Sequence, residues 1–144
     1  MNISKRLKAV ASMISEGNTV ADIGTDHGYV PIYMVTERGC NFAYAMDVNE
    51  GPLKRAEENI IKYNVSDRIE LRLSDGIKKL KAGEADTIVI AGMGGILINR
   101  ILSDGLEVAK ASKELILSPH SDVNLVRRFL ADNGFCISDE QMVF

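Results

Sequence analysis

The chain has 144 residues, of which 46% are hydrophobic and 26% charged, and this is the range of one globular domain with its own core. Its net charge of −3 excludes a chain-wide basic surface for a polyanion, so any nucleic-acid contact would have to be local. With two distant cysteines, no CxxC spacing and no apolar run of about 18 residues, we expect a cytoplasmic protein without a metal or a membrane partner.

The first predicted element is an amphipathic helix, because Leu7, Val10 and Ile14 recur at helical spacing before Gly17. Three basic residues lie at its start: Lys5, Arg6 and Lys8. They could touch a phosphate backbone, although short basic runs on helices are most often solvated faces.

A strand and a glycine-bearing loop follow. Val20, Ala21 and Ile23 suit a buried parallel strand. Gly24 and Gly28 let the backbone turn tightly and a ligand approach closely. Pro31 then fits the first turn of a helix that ends at Gly39. This order indicates the start of a nucleotide-binding α/β domain.

Asp22 distinguishes this loop from a dinucleotide-binding loop. The dinucleotide fingerprint is Gly-x-Gly-x-x-Gly, whereas this loop has an acid at the strand end, then Gly24 and Gly28. A carboxylate there would repel a pyrophosphate but would suit a ligand with an amino group and a sulfonium. The loop therefore favours S-adenosylmethionine over NAD.

The second predicted strand, 41–46, ends on Asp47, 25 residues after Asp22. An acid at the tip of this strand is placed to accept both ribose hydroxyls of a nucleoside. Asn49 is a plausible N-cap of the helix that follows.

Two further strands end in polar or glycine residues. Alternating apolar residues over 69–73 precede Ser74-Asp75-Gly76, after which 77–80 suggests only a short helix. The most apolar strand candidate, 85–91, runs into Gly92-Met93-Gly94-Gly95, which would form a floor for a flat ligand.

The remaining pattern predicts a short helix at 105–111, a strand at 115–120 and a helix at 123–130. We expect residues 135–137 and 142–144 to form a final strand pair or one broken strand. The fold class is therefore α/β, a Rossmann-like three-layer sandwich with a mostly parallel sheet.

The carboxyl ends of parallel strands share one edge of a sheet, so these signals should converge there and form a nucleoside-cofactor site. Each signal also has a local explanation, because Asp favours turns and caps and Gly permits sharp turns. His27 lies in the first loop and His120 follows the fifth strand, yet neither belongs to a nucleophile motif, and no phosphate-binding P-loop is present.

Four strings carry a resemblance to a known family: Asp22-Ile23-Gly24-Thr25-Asp26-His27-Gly28-Tyr29, Asp47-Val48-Asn49-Glu50-Gly51-Pro52-Leu53 with Ala56 and Asn59, Leu73-Ser74-Asp75-Gly76, and Ile90-Ala91-Gly92-Met93-Gly94-Gly95. Together they resemble class I S-adenosylmethionine-dependent methyltransferases, and more narrowly the bacterial TrmK-type family that methylates N1 of adenine 22 in tRNA. The likeness extends over nearly the whole chain.

The resemblance implies S-adenosylmethionine as cofactor, S-adenosylhomocysteine as product and tRNA as partner. It places Asp22, Gly24 and Gly28 at the methionine end, Asp47 at the ribose, and Asp75 with Gly76 at the adenine. The full set of cofactor-binding residues that we expect is Asp22, Gly24, Thr25, Gly28, Asp47, Val48, Asn49, Asp75, Gly76, Ala91, Gly92 and Met93.

The chain departs from the family pattern in two places. It ends at Phe144, so we expect residues 1–144 to be a C-terminally shortened methyltransferase domain without the family's helical extension. Ser118-Pro119-His120 also stands where a Gln-Pro-Asn-like string is expected.

In the expected reaction adenine N1 attacks the activated methyl group, and the protein positions the reactants and excludes water. We expect Asp26 or His27 to contact the base or to balance its developing positive charge. Three alternatives stay open: a methyltransferase for another substrate, an NAD-dependent oxidoreductase, and a cofactor-binding module without activity.

Overall fold

The computed structural model describes residues 2–140, so the strand expected at 142–144 lies outside the described residues. The strands of this part are β1 Val20–Ile23, β2 Ala43–Asp47, β3 Ile69–Leu73, β4 Thr87–Met93 and β5 Glu114–Pro119. The helices are α1 Lys5–Ser12, α2 Tyr29–Glu37, α3 Glu50–Lys62, α4 Gly95–Asp104, α5 Leu106–Ala111 and α6 Val123–Asp132. A short 3-10 turn, Asp26–Gly28, joins β1 to α2.

The strands form one parallel sheet in the order β3-β2-β1-β4-β5. In its middle, Asp22 of β1 lies opposite Ala45 of β2 and Val89 of β4. The chain moves outward from β1 to β3 and then returns to the other side of β1 as β4, so the strand order reverses beside β1. Ligands of such sheets bind outside the carboxyl ends of the strands at this reversal. The predicted Rossmann-like α/β fold is confirmed.

Helices cover both faces of the sheet. Neighbouring strand residues point to opposite sides, so the apolar residues of each strand have to be buried on both faces. Val20 packs with α1, α2 and α3, whereas Ala21 and Ile23 pack with α4, α5 and α6. These layers bury the strands and leave the carboxyl edge for the polar loops. Within residues 2–140, no helix combines the length and the apolar character that crossing a membrane requires.

The predicted short helix at 77–80 is wrong, because this segment is a turn. The Ser74 hydroxyl donates a hydrogen bond to the Gly76 carbonyl and accepts one from the Lys79 N–H, and Gly76 has φ +60°. Such local hydrogen bonds compete with helix formation.

The predicted strand at 135–137 is also wrong. The chain turns at Gly134, with φ +82°, and the Phe135 N–H closes the end of α6 on the Leu130 carbonyl. Phe135 packs against the apolar cluster of the α4–α6 face, while Ile137 is largely exposed. The apolar character of this segment thus serves helix packing.

Candidate functional site

Two cavities lie at the carboxyl edge of the sheet and meet at Gly24, which lines both. The first has a volume of about 270 Å³ and is called the α1-side cavity. The lining residues that could contact a ligand through polar or backbone groups are Arg6, Asp22, Thr25, Asp26, His27 and Gly92. The second has a volume of about 300 Å³ and is called the β3-side cavity. Its lining includes Asp47, Asn49, Asp75, Gly76, Met93 and Arg100. Asp26, His27 and all the cofactor-binding residues expected from the sequence line one of the two cavities except Gly28.

The loop after β1 folds back onto the end of β2. The N–H groups of Gly24 and Thr25 both donate to the Met46 carbonyl, at 2.8 and 3.0 Å. Gly24 has φ +76°, and a Cβ there would lie 2.5 Å from Cε of Met93. The absent side chain therefore permits both the turn and the close approach of β4.

Asp22 is a buried acid beneath this loop, with 4% of its surface exposed. Burial raises the pKa of its carboxyl group to about 7, and the Asp47 charge adds to the rise. The buried Thr25 hydroxyl lies beside this carboxyl group and partly offsets the rise in its pKa, although within residues 2–140 it completes no hydrogen bond of normal geometry. Buried polar groups usually have partners, so this pair is suited to a ligand that donates hydrogen bonds or carries positive charge.

Asp26 and His27 also line the α1-side cavity. His27 has φ +65°, an uncommon conformation for a residue with a side chain, and its ring stacks on Tyr29 with 5.0 Å between centroids. The His27 Nε2 lies 3.7 Å from Oδ1 of Asp26, which accepts a 3.0 Å hydrogen bond from Arg55. The His27 carbonyl accepts another from Asn59, so α3 fixes the turn.

Gly28 faces α3 instead of a cavity. A Cβ at this position would lie 3.2 Å from the Cβ of Ala56, and the backbone has φ +71°. Its physical role in the structure is the close approach of the loop to α3.

The β3-side cavity begins at the tip of β2. Asp47 is nearly buried, and its Oδ1 accepts a 3.0 Å hydrogen bond from the Asn49 N–H. Asn49 occupies the N-cap position of α3, but its side chain makes no capping hydrogen bond. Val48, which is 57% exposed, gives this cavity an apolar wall together with Leu97.

Asp75 stands at the other side of this cavity in an ion-pair network. Its carboxylate pairs with Arg100 at 3.1 Å and with Lys78 at 3.2 Å, and these partners hold its pKa below the usual value. Gly76 lies against Ile101, whose side-chain carbons would be 3.0 Å from an added Cβ. Sequence reasoning missed Arg100, because no local motif ties α4 to the end of β3.

The glycines after β4 have different surroundings. Gly92 lies in a bulge of β4 with φ +78° and opens to the α1-side cavity, where the Arg6 guanidinium approaches it. A Cβ on Gly95 would lie 2.6 Å from the Asp122 carbonyl oxygen, and one on Gly94 would lie 3.0 Å from Oγ of Ser121. Gly92 alone of these glycines therefore borders a cavity, and the other two allow packing against the loop before α6.

His120 lines neither cavity, and its backbone N–H donates to the Met93 carbonyl at 3.0 Å. Within residues 2–140, no three His, Cys, Asp or Glu side chains come together in an arrangement that could hold a metal ion.

Comparison with known proteins identifies relatives that match this chain over nearly its whole length. A family model described as a methyltransferase domain matches residues 3–144. The tRNA (adenine(22)-N(1))-methyltransferase of Bacillus subtilis is 38% identical over 140 residues, which cover 97% of this chain and 59% of the relative.

Two solved structures are similar over nearly the full chain. The B. subtilis M1A22 tRNA methyltransferase TrmK has a TM-score of 0.92 and 38% identity, covering 99% of this chain and 61% of that one. The M. capricolum TrmK in complex with S-adenosyl-homocysteine has a TM-score of 0.88 and 32% identity, covering 99% and 63%. The chain thus spans less than two thirds of the length of these relatives.

Proposed function

Because the chain belongs to the methyltransferase domain family, we propose that it transfers the methyl group of S-adenosylmethionine to N1 of adenine 22 in tRNA. The observation that carries the proposal is the meeting of two chemically different cavities at Gly24, at the edge where the strand order reverses. The 38% identity to a tRNA (adenine(22)-N(1))-methyltransferase supports this substrate. Residues 1–144 would then act as the S-adenosylmethionine-binding domain, with S-adenosylhomocysteine as product.

The residues present fit this cofactor. The buried Asp22 carboxyl and the neighbouring Thr25 hydroxyl would hold the amino-acid end in the α1-side cavity. Asp47 would accept the ribose hydroxyls, and Val48 with Gly76 would border the adenine in the β3-side cavity. Ala91, Gly92 and Met93 would line the path between them, because β4 presents Ala91 and Gly92 to one cavity and Met93 to the other.

The bound cofactor supplies a methyl group already activated for displacement, so the chain's own residues have to orient the nucleophile and exclude water. Methylation at N1 leaves a positive charge on the adenine ring. Asp26 and His27 face the α1-side cavity, where a carboxylate would balance that charge. The target base must be unpaired or flipped to reach them.

Calorimetric titration with S-adenosylmethionine, S-adenosylhomocysteine and NAD tests the cofactor assignment. Methyl transfer to unmodified tRNA with adenine or guanine at position 22 tests the substrate in the same preparation. We expect binding of the first two compounds and transfer to the adenine-bearing tRNA alone. Binding of NAD, or equal transfer to both tRNAs, would refute the proposal.

A further inference from the structure

Arg6 occupies an unusual place beside the α1-side cavity. It is the second residue of α1, and its side chain is exposed. Its Nη2 and Nη1 lie 3.3 and 3.7 Å from the position that a Cβ of Gly92 would occupy. Because Gly92 has no side chain, the guanidinium extends from α1 to the carboxyl end of β4, at the edge of the cavity.

The Arg6 guanidinium makes no ion pair or hydrogen bond within residues 2–140. Other arginines donate hydrogen bonds inside the structure, namely Arg38, Arg55, Arg68, Arg72, Arg100 and Arg127. Arg128 of α6 resembles Arg6 in lacking such a partner in the described part of the chain, but it lines neither cavity. Among the arginines that line the two cavities, Arg6 is therefore the one without a partner in the described part of the chain.

The charges around Arg6 indicate that an anion could bind in the α1-side cavity only with the help of the Arg6 guanidinium. Asp22 and Asp26 line the same cavity, and the positive charge of Arg55 is already paired with Asp26. An oxyanion entering the cavity would therefore meet the Asp22 carboxyl group, and Arg6 supplies a cation whose charge is not already paired within residues 2–140. The planar fork of a guanidinium matches the two oxygens of a carboxylate or a phosphate.

We infer that Arg6 is an oxyanion-binding residue of the α1-side cavity, an inference that rests on the proposed function. Two oxyanions of that reaction could reach it. The methyl donor carries an amino group and a carboxylate on one carbon, which Asp22 and Arg6 could bind together from the same cavity. The other oxyanion is a backbone phosphate of the tRNA beside the target base.

The test compares the full chain with the R6A and R128A variants. Calorimetry measures the affinity for S-adenosylmethionine and for its decarboxylated analogue, which keeps the amino group and lacks the carboxylate. Fluorescence anisotropy measures tRNA binding between about 50 and 200 mM salt. Thermal melting establishes that each variant is folded.

We expect R6A to lower the affinity for one of the two ligands by about tenfold or more. This is the effect expected from the loss of one charged hydrogen bond. If the anion is the carboxylate, only the affinity for intact S-adenosylmethionine falls. If it is the phosphate, tRNA affinity falls and the slope of log Kd against log salt decreases by about one. R128A should change neither.

Unchanged binding of both ligands by R6A, or equal losses in R128A, would overturn the inference. Failure of the unaltered chain to bind the methyl donor or to methylate tRNA would instead count against the proposed function, so the two failures are distinguishable.

Discussion

The two cavities on either side of Gly24 differ in how far the protein satisfies its own charges. In the β3-side cavity, Asp47 accepts a backbone N–H and Asp75 has two basic partners. In the α1-side cavity, Asp26 is paired with Arg55, but within residues 2–140 the buried Asp22 has no basic partner, and its pKa is raised although the neighbouring Thr25 hydroxyl lowers it. The β3-side cavity is therefore organised before any ligand arrives, whereas the α1-side cavity keeps a buried acid whose pairing a ligand would complete.

The largest expected effect is on Asp22, because its charge is buried. We expect Asp22→Asn to lower the affinity for S-adenosylmethionine by at least about 30-fold, as is typical when one partner of a buried charge pair is removed. Asp75→Asn is the matched change in the other cavity, and we expect a loss of less than about tenfold because the Asp75 side chain is 43% exposed. Calorimetry of both variants checks the comparison, which a larger loss in Asp75→Asn would reverse.

The raised pKa of Asp22 predicts a pH dependence of methyl-donor binding. The pKa is raised from 3.8 to about 7, so the folded protein holds a proton there that the unfolded chain has lost. Binding of a cationic amino group requires the ionised form, so affinity for the donor should fall by up to about tenfold per pH unit below pH 7. Asp22→Asn should abolish this dependence.

Protein stability without ligand should show the opposite trend. The stability that protonated Asp22 contributes is fully present below its unfolded pKa and is lost as the pH rises through about 7. We therefore expect the Tm of Asp22→Asn, relative to the Tm of the unaltered chain, to be higher at pH 8 than at pH 5. A difference independent of pH would contradict the assignment of this titration to Asp22.

A smaller effect is expected where the cavities meet. Gly24→Ala would place a Cβ at positive φ and 2.5 Å from the end of the Met93 side chain, which can shift. We expect a loss of about 1 kcal/mol in unfolding free energy and a several-fold weaker donor affinity. Gly17→Ala has similar backbone strain, at φ +80°, with nothing within 4 Å of the added Cβ. It should lose stability alone, so weakened donor binding in Gly17→Ala would disprove the local explanation.

The smallest expected change in stability concerns the strained turn. His27→Gly relieves a positive φ and should raise the unfolding free energy by up to about 1 kcal/mol, less the lost stacking on Tyr29. If His27 contacts the reacting base, single-turnover methyl transfer should slow although the protein is no less stable. A variant with unchanged rate would remove His27 from the reaction.

Much of the fold followed from local patterns, because apolar runs, glycines and prolines mark strand and helix boundaries residue by residue. The parallel sheet and the convergence of Asp22, Asp47 and Asp75 at its carboxyl edge could be predicted in this way. The turn at 77–80 could not, since its apolar residues fit a helix and only the Ser74 side chain decides otherwise.

Long-range contacts account for what the sequence left out of the site. Arg100 reaches Asp75 across 25 positions of the chain, and Arg55 reaches Asp26 across 29. The role of Gly28 depends on Ala56 in another helix, and that of Gly95 on the backbone before α6. None of these pairs has a fixed spacing that a sequence pattern could reveal.

The most direct test of the division between the cavities is an NMR titration of the backbone amides with adenosine and with S-adenosylhomocysteine. Adenosine should shift the signals of the β3-side cavity, at Val48, Asn49 and Gly76, and leave Thr25 and Gly92 unchanged. S-adenosylhomocysteine should shift both sets. Shifts at Thr25 and Gly92 with adenosine alone, and none around Gly76, would contradict the assignment of the nucleoside to the preorganised cavity.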